Sequence, residues 1–514
     1  MIGADQYRLG VLPLAHPDAR ALSTATTDIT YAELDRRVAL VAAGLRAAGM
    51  KAGDRILALL PSGTEIYELV MACARTSTVL VPMNWRLSPD ELVRIAEHAE
   101  ARAVVVHRDS AAVAPRLVGA HPTALQLTVH ADDGSALDYE TWREHQAPGT
   151  TAEHCANDDV VLQIYTSGTT GRPKGVLLTH GNLVAKIPRA VQGWDVTAES
   201  ISLLATPLFH IGGLGWGLIG LASGARTVVL GPSRVETLFA ALRDERVTHA
   251  FLVPTMLHDL CALATADGLP DLRLIVYGAA PIPTKTRDAV LDAFGCSLAH
   301  VYGLTETTGS ITQDLTPPTA ERGQAVEASF VGYPFPGIEI SVRDPDSHGV
   351  LPPGRPGEVW TRSAQNSPGY AKDPTATAEL LTTDGWLRTG DAGRLQADGG
   401  LVLTHRIKDL IVTGGENVVP AEVEAVLRQH PDVLDAAVVG LPHPRWGEMV
   451  AAAVVTRDQR PADGLDEFTL ERLAAYKRPR VVHVVDELPR NALGKVDQQQ
   501  LAQRLVAMTE QVPA

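Results

Sequence analysis

Eleven consecutive residues, Tyr165-Thr-Ser-Gly-Thr-Thr-Gly-Arg-Pro-Lys-Gly175, carry the densest chemistry in the chain. Gly168 and Gly171 let backbone amides come close to an anion. The hydroxyls of Thr166, Ser167, Thr169 and Thr170 add donors, and Lys174 supplies a point charge. This is phosphate-binding chemistry. It is not a Walker A loop, because Lys174 is followed by Gly175 rather than by Ser or Thr. A second constellation is Tyr302-Gly-Leu-Thr-Glu306. Tyr302 offers a flat face for a base, and Gly303 leaves room for a substrate to pass. Thr305 can bond a phosphate oxygen, and Glu306 is a hard oxygen ligand suited to Mg²⁺. Further along, Asp391 in Arg388-Thr-Gly-Asp391 has two acceptor oxygens that suit a vicinal diol. Arg406, fifteen residues on, can add a donor to the same group.

These residues need elements to hold them. Residues 31–48 carry apolar side chains at helical spacing, with Thr30 as N-cap. Residues 55–60 read as a buried strand, 65–75 as a helix, 78–82 as a strand, 89–100 as a helix and 103–107 as a strand. The alternation resumes with a helix over 235–245 and strands over 250–253 and 272–277. Strands separated by helices of this length imply βαβ units and mainly parallel sheets. The phosphate-binding run follows the strand-like residues 160–164, and Tyr302 follows 297–301. Residues 344–357 are rich in Pro and Gly and read as a loop or hairpin. A new αβ pattern begins after 409, with a helix over 420–430 and strands over 433–440 and 450–456.

At 514 residues the chain is long enough for three or four folding units of about 150 residues each. Forty-five Lys+Arg against sixty Asp+Glu give a formal charge of −15, which argues against a nucleic-acid partner. A local basic site for a phosphorylated small molecule is still allowed. Cys73, Cys155, Cys261 and Cys296 form no CxxC pair, so buried reduced thiols are expected. The longest uncharged apolar stretch, 211–225, is too short and too glycine-rich to span a bilayer. The first twenty residues lack a basic segment and a long apolar run, so no secretory leader is expected. The expected compartment is the cytoplasm.

The run YTSGTTGRPKG resembles the phosphate loop of the adenylate-forming superfamily, which includes acyl-CoA synthetases, luciferases and peptide-synthetase adenylation domains. Six further motifs follow in that family's order: PLFHIGG (207–213), YGAAP (277–281), YGLTE (302–306), GWLRTGD (385–391), RIKDLIVTGGENVVPAEVE (406–424) and PRNALGKVD (489–497). The resemblance therefore covers nearly the whole chain. It implies an α/β fold: a large N-terminal domain of βαβ-type sheets with a β-rich subdomain (1–406), a hinge (407–409) and a small mobile α+β C-terminal domain (410–514).

The resemblance also implies an acyl-CoA synthetase that uses MgATP, a carboxylic acid and coenzyme A, as a monomer or homodimer. By the same resemblance, Gly278, Ala279 and Ala280 contact adenine, Lys495 catalyses adenylation and Lys408 is the hinge residue. Gly414, Gly415 and Glu416 line the tunnel for the pantetheine of coenzyme A. The basic residues Arg472, Lys477, Arg478 and Arg480 face either CoA phosphates or solvent. Relatives usually read Gly-Arg where this chain has His405-Arg406. His210 stands where amino-acid-activating relatives carry an aspartate for the α-ammonium, which disfavours amino acids. The segment 253–259 lacks the arginine of malonate-specific relatives. His210, Gly212, Trp216 and Met256 suggest an acyl pocket for an apolar acid: fatty, aromatic or polycyclic. A free-standing enzyme that loads a carrier protein and a non-catalytic nucleotide-binding relative are the two alternatives at this point.

Overall fold

The computed structural model describes the chain apart from residues 1–6, 119–124, 132–136, 148–154, 167–172, 232, 264–267, 279–281, 283, 323–328, 407–410, 414–415, 444–446, 461, 474, 492–493 and 511–514. The side chains of residues 137, 405, 406, 412, 416, 417, 447 and 510 are also outside the described set. Contacts divide the chain into two compact units. One comprises residues 1–340 and 361–388, the other 341–360 and 389–514.

The N-cap read from the sequence at Thr30 is formed. The Thr30 side chain accepts the Glu33 amide, and the helix Tyr31–Ala47 follows. Ser88 and Glu91 form a reciprocal capping box ahead of Pro89–Ala99, which satisfies amide donors that the first turn leaves open. A second box, Thr179 with Asn182, opens the helix His180–Gly193.

Two sheets organise the first unit. The seven-stranded sheet runs in the order Leu137–Asp138, Leu125–Val129, Ala103–His107, Arg55–Leu59, Val79–Pro82, Val160–Thr166, Lys174–Thr179. Its pairs are parallel except the last, which is an antiparallel hairpin. The nine-stranded sheet has a parallel centre, with Ile201–Leu204, His249–Leu252, Leu274–Tyr277 and Ser297–Leu304 as successive neighbours. Gly309–Thr316 returns antiparallel beside Ser297–Leu304. The apolar runs of the parallel strands are buried on both faces, as sheets covered by helices require. Leu203, Ala250, Leu252, Ile275 and Leu298 share one core with helix residues Leu238, Leu257 and Leu291.

Most of a four-stranded sheet lies in the second unit, in the order Glu339–Arg343, Gly357–Arg362, Leu387–Leu395, Leu401–Arg406. A five-stranded sheet follows, centred on the antiparallel pair Val433–His443 and Gly447–Thr456. Alternate residues of the first strand serve opposite cores. Ala436 and Val438 pack with Val423 and Leu427, while Ala437, Val439 and Leu441 pack with Leu501 and Leu505. That is the period of two expected of a strand covered on both sides. All four cysteines are free; Cys73, Cys155 and Cys296 are buried, and Cys261 is only half-buried. No helix among the described residues is long and apolar enough to cross a membrane.

Candidate functional site

The phosphate-binding run is flanked by two antiparallel strands, Val160–Thr166 and Lys174–Thr179. Thr166 ends one strand and Lys174 begins the next, and the two are paired in register. Both are half-buried. Ser167, Gly168, Thr169, Thr170 and Gly171 lie outside the described residues. The base of the hairpin is tightly fitted: a Cβ on Gly175 would come within 2.8 Å of the Gln163 amide nitrogen. That amide donates to the Tyr165 hydroxyl (2.8 Å), which also meets His98 Nδ1 at 2.6 Å. Burial pushes the Tyr165 phenol up, so it stays protonated.

Beside the second strand of the hairpin runs a segment that no motif in the sequence pointed to. Leu177 donates to the Gly369 carbonyl at 3.0 Å, and Ala371 donates to that of Gly175 at 2.8 Å. Tyr370 is thereby locked against Val176. Its ring centre lies 4.8 Å from Lys174 Nζ, within cation–π range. Its hydroxyl donates to Glu306 Oε1 at 2.9 Å. Tyr370 thus joins the lysine of one motif to the carboxylate of another.

Thr305 and Glu306 sit in a single 3₁₀ turn, Thr305–Thr307, between Ser297–Leu304 and Gly309–Thr316. Thr307 holds the turn together: its Oγ1 accepts the Leu304 amide at 2.8 Å and donates to the Gly309 carbonyl at 2.7 Å. The Glu306 carbonyl accepts the Ser367 amide at 2.8 Å. Gly303 has to be glycine, because a Cβ there would fall on the Gly309 carbonyl oxygen. A bulge between Tyr302 and Gly303 bends the strand at that point. The Tyr302 side chain is buried. A Cβ on Gly278 would meet the Val301 carbonyl at 2.8 Å; Ala279 and Ala280 are outside the described residues.

In the second unit, Asp391 and Arg406 stand directly opposite each other on adjacent antiparallel strands. Asp391 is buried, and its amide donates to Thr389 Oγ1 at 3.1 Å. The Arg406 side chain is outside the described set. His405 faces Ala392 across the same ladder, and a bulge follows at Gly393. Lys495 lies in a short turn. Its amide donates to Asn491 Oδ1 at 3.1 Å, and its carbonyl accepts the Asn491 amide at 2.8 Å. Gly494 takes a positive φ of 75° there, a conformation that glycine adopts without strain. Lys408, Gly414 and Gly415 fall outside the described residues, as does the Glu416 side chain. Lys477 ion-pairs with Glu422 at 2.7 Å, and the Arg472 guanidinium stacks on Phe468 at 3.8 Å. Both are therefore engaged within their own unit.

Of the acyl-pocket residues, His210 precedes the helix Ile211–Ser223 and its ring packs on Phe209, 4.5 Å between centroids. Trp216 is buried, donates to the Leu203 carbonyl at 3.0 Å and faces Phe251 at 5.9 Å. A Cβ on Gly212 would reach that same Phe251 ring at 3.1 Å. Gly212 and Trp216 therefore share one aromatic wall. Met256 packs on the separate core under the nine-stranded sheet.

The site thus draws one phosphate-loop lysine, one carboxylate and one tyrosine into contact, on a chain matched in two parts. Residues 13–371 match the AMP-binding enzyme family, and residues 422–495 match the AMP-binding enzyme C-terminal domain. The chain belongs to the AMP-binding enzyme family. Within this adenylate-forming superfamily, it is 37% identical over 490 residues to feruloyl-CoA synthase of an Amycolatopsis species, covering 93% of this chain and 94% of that one. It is 36% identical over 499 residues to the fatty acid–[acyl-carrier-protein] ligase ScoC of Streptomyces coeruleorubidus, covering 95% and 94%. The crystal structure of ATP-bound MatB from Rhodopseudomonas palustris matches with a TM-score of 0.86 and 29% identity, over 96% of this chain and 97% of that one. The mixed α/β fold, with a large N-terminal and a small C-terminal domain, is the one expected from the sequence. This AMP-binding enzyme is an ATP-dependent ligase, and its reading as an acyl-CoA synthetase working through an adenylate agrees with the feruloyl-CoA synthase.

Proposed function

We propose that the enzyme activates an apolar carboxylic acid, aromatic or fatty, and transfers the acyl group to coenzyme A. In the first step a carboxylate oxygen attacks the α-phosphate of ATP, and pyrophosphate leaves. In the second the CoA thiol attacks the acyl carbon, AMP departs and the thiol proton is released. The observation that carries this reading is the contact between Lys174, Tyr370 and Glu306. A cation and a carboxylate fixed on one phenol are arranged for a triphosphate and its metal.

In this reading, Thr166 to Lys174 hold the β- and γ-phosphates, and Thr305 meets the α-phosphate. Gly278 to Ala280 and Tyr302 bound the adenine, while Asp391 and Arg406 grip the ribose. Glu306 fits Mg²⁺: it is a hard oxygen donor beside the phosphate site, oriented by the Tyr370 hydroxyl. When bound, Mg²⁺ supplies charge neutralisation at the triphosphate. Lys495 stabilises the negative charge that gathers as two anions meet. Residues 1–406 form the adenylation domain, 407–409 the hinge about Lys408, and 410–514 the mobile domain whose Gly414–Glu416 loop serves the pantetheine.

The test is pyrophosphate release by the purified chain over a panel of fatty, aromatic and polycyclic acids, with thioester detected by mass. Acid-dependent pyrophosphate exchange without CoA, together with acyl-CoA when CoA is present, is the expected result. The similarity to ScoC favours one second reading, a carrier protein as the acceptor. Thioester on a supplied carrier but not on CoA would establish it. ATP binding without turnover of any acid would overturn both.

A further inference from the structure

We infer that Lys186 and Arg189 recognise an oxygen acceptor on the end of the acid remote from its reacting carboxylate, so that the substrate is an oxygen-bearing acid rather than a pure hydrocarbon one. The inference rests on the acid-activating reading above and deepens it.

Lys186 projects from the helix His180–Gly193 into the protein and is only 7% exposed. Its ammonium donates to the Ser310 carbonyl at 2.9 Å and to the Ser310 hydroxyl. Aromatic faces surround it, with Phe335 at 4.8 Å and Trp194 at 5.4 Å from Nζ. The next cation, Arg189, lies one turn along the same helix, half-buried, and donates to Gln365 Oε1 at 3.0 Å. Among the described residues, no carboxylate lies within ion-pair distance of either. A buried ammonium with a half-buried guanidinium one turn away, and no carboxylate beside either among the described residues, is unfavourable unless a further oxygen acceptor is supplied. Burial accordingly pushes the Lys186 amine down to about 7, with Arg189 adding to the effect.

The position of the pair identifies the supplier. A Cβ built on Gly309 would have Lys186 Cε at 3.9 Å and Ile211 Cγ1 at 4.0 Å as its nearest neighbours, so both side chains border Gly309 at van der Waals range. Ile211 lies between His210 and Gly212, both assigned above to the acyl pocket. The Trp194 ring under the ammonium packs on Trp216 at 5.5 Å, and Trp216 in turn on Phe251. The aromatic wall beside Gly212 is therefore continuous with the rings that hold Lys186. Flat apolar walls ending in a cation suit a phenol, a carbonyl or a second carboxylate at the far end of an acid.

Two matched pairs test this on the full-length enzyme: cinnamic against 4-hydroxycinnamic acid, and octanoic against octanedioic acid. In at least one pair, kcat/KM for acid-dependent pyrophosphate release should favour the oxygen-bearing member at least tenfold, mainly through KM. Lys186→Met should reduce that preference at least tenfold. Turnover of these acids without such a preference overturns the inference and leaves acyl activation standing, as does a Lys186→Met variant that slows both members of a pair equally. No turnover of any acid overturns the parent reading together with this one. Should Lys186→Met fail to fold, the wild-type preference and the Arg189→Gln variant decide.

Discussion

Two short turns carry the residues proposed to act on the triphosphate, and they are built differently. The turn bearing Thr305 and Glu306 joins two eight-residue strands. It is tied from within by Thr307 and from outside by Ser367 and Tyr370. The turn bearing Lys495 is bounded by the Arg490–Val496 bridge, held by bonds around Asn491, and tied to the strand Val433–His443 of its own unit by the Arg490–Asp435 ion pair. The first is fixed by a sheet and brings its donors and acceptors already oriented, the condition under which electrostatic stabilisation is most effective. The second holds its lysine backbone within the second unit. In the proposed two-step reaction the turn bearing Thr305 and Glu306 serves the triphosphate, while Lys495 is proposed to act in only one of the steps.

The sharpest way to break that contrast is Lys495→Ala. Pyrophosphate exchange should fall by about 10²–10³, the scale for loss of a charge that stabilises a transition state. Thioester formation from supplied acyl-adenylate should fall far less. Equal losses in the two assays would mean that the lysine is not specific to one step. Glu306→Gln should cost on the order of 10² in kcat/KM and raise the Mg²⁺ concentration needed for half-maximal rate. An unchanged Mg²⁺ titration would remove Glu306 from the metal site.

Tyr370→Phe keeps the ring beneath Lys174 and deletes the bond to Glu306. A single hydrogen bond to a charged group is worth about 1.5–3 kcal/mol, so a decrease of roughly tenfold or somewhat more is expected, seen in the same Mg²⁺ titration. The smallest effect concerns stability. Unfolded Lys186 holds its proton to about pH 10.4, whereas the folded amine sheds it near 7. Between those values the unfolded chain binds more protons, so stability rises with pH. Lys186→Met should flatten that rise and lift the apparent melting temperature at pH 7 by a degree or two, roughly. A melting temperature that drops instead would mean that the bonds to Ser310 outweigh the burial of charge.

What the sequence made legible was local. Thr30 and the residues after it specify a capped helix by type and spacing alone, and the strands over 55–60 and 103–107 were visible as apolar runs between turn residues. Glu306 and Lys174 stood out because short motifs place special residue types at strand ends. Tyr370 did not, since it reaches Glu306 across sixty-four residues of sequence through a strand pairing that no periodicity reports. Lys186 was hidden for a related reason. A lysine in an amphipathic helix reads as a solvated charge, and only tertiary packing decides that this one turns inward. The phosphate-loop tip, legible as chemistry, falls outside the described residues.

One feature of the hairpin Ser297–Leu304/Gly309–Thr316 constrains how such an enzyme could acquire a new preference. Its outward stroke ends at Thr305 and Glu306, and its return stroke begins at Gly309 and Ser310, four residues later. Redesign of the return stroke to admit a different molecule would tug on Thr307, which fastens Leu304 to Gly309, and so disturb the turn proposed to act on the triphosphate. Libraries aimed at altered scope should spare this strand and diversify the helices His180–Gly193 and Ile211–Ser223 instead, where changes leave that fastening intact.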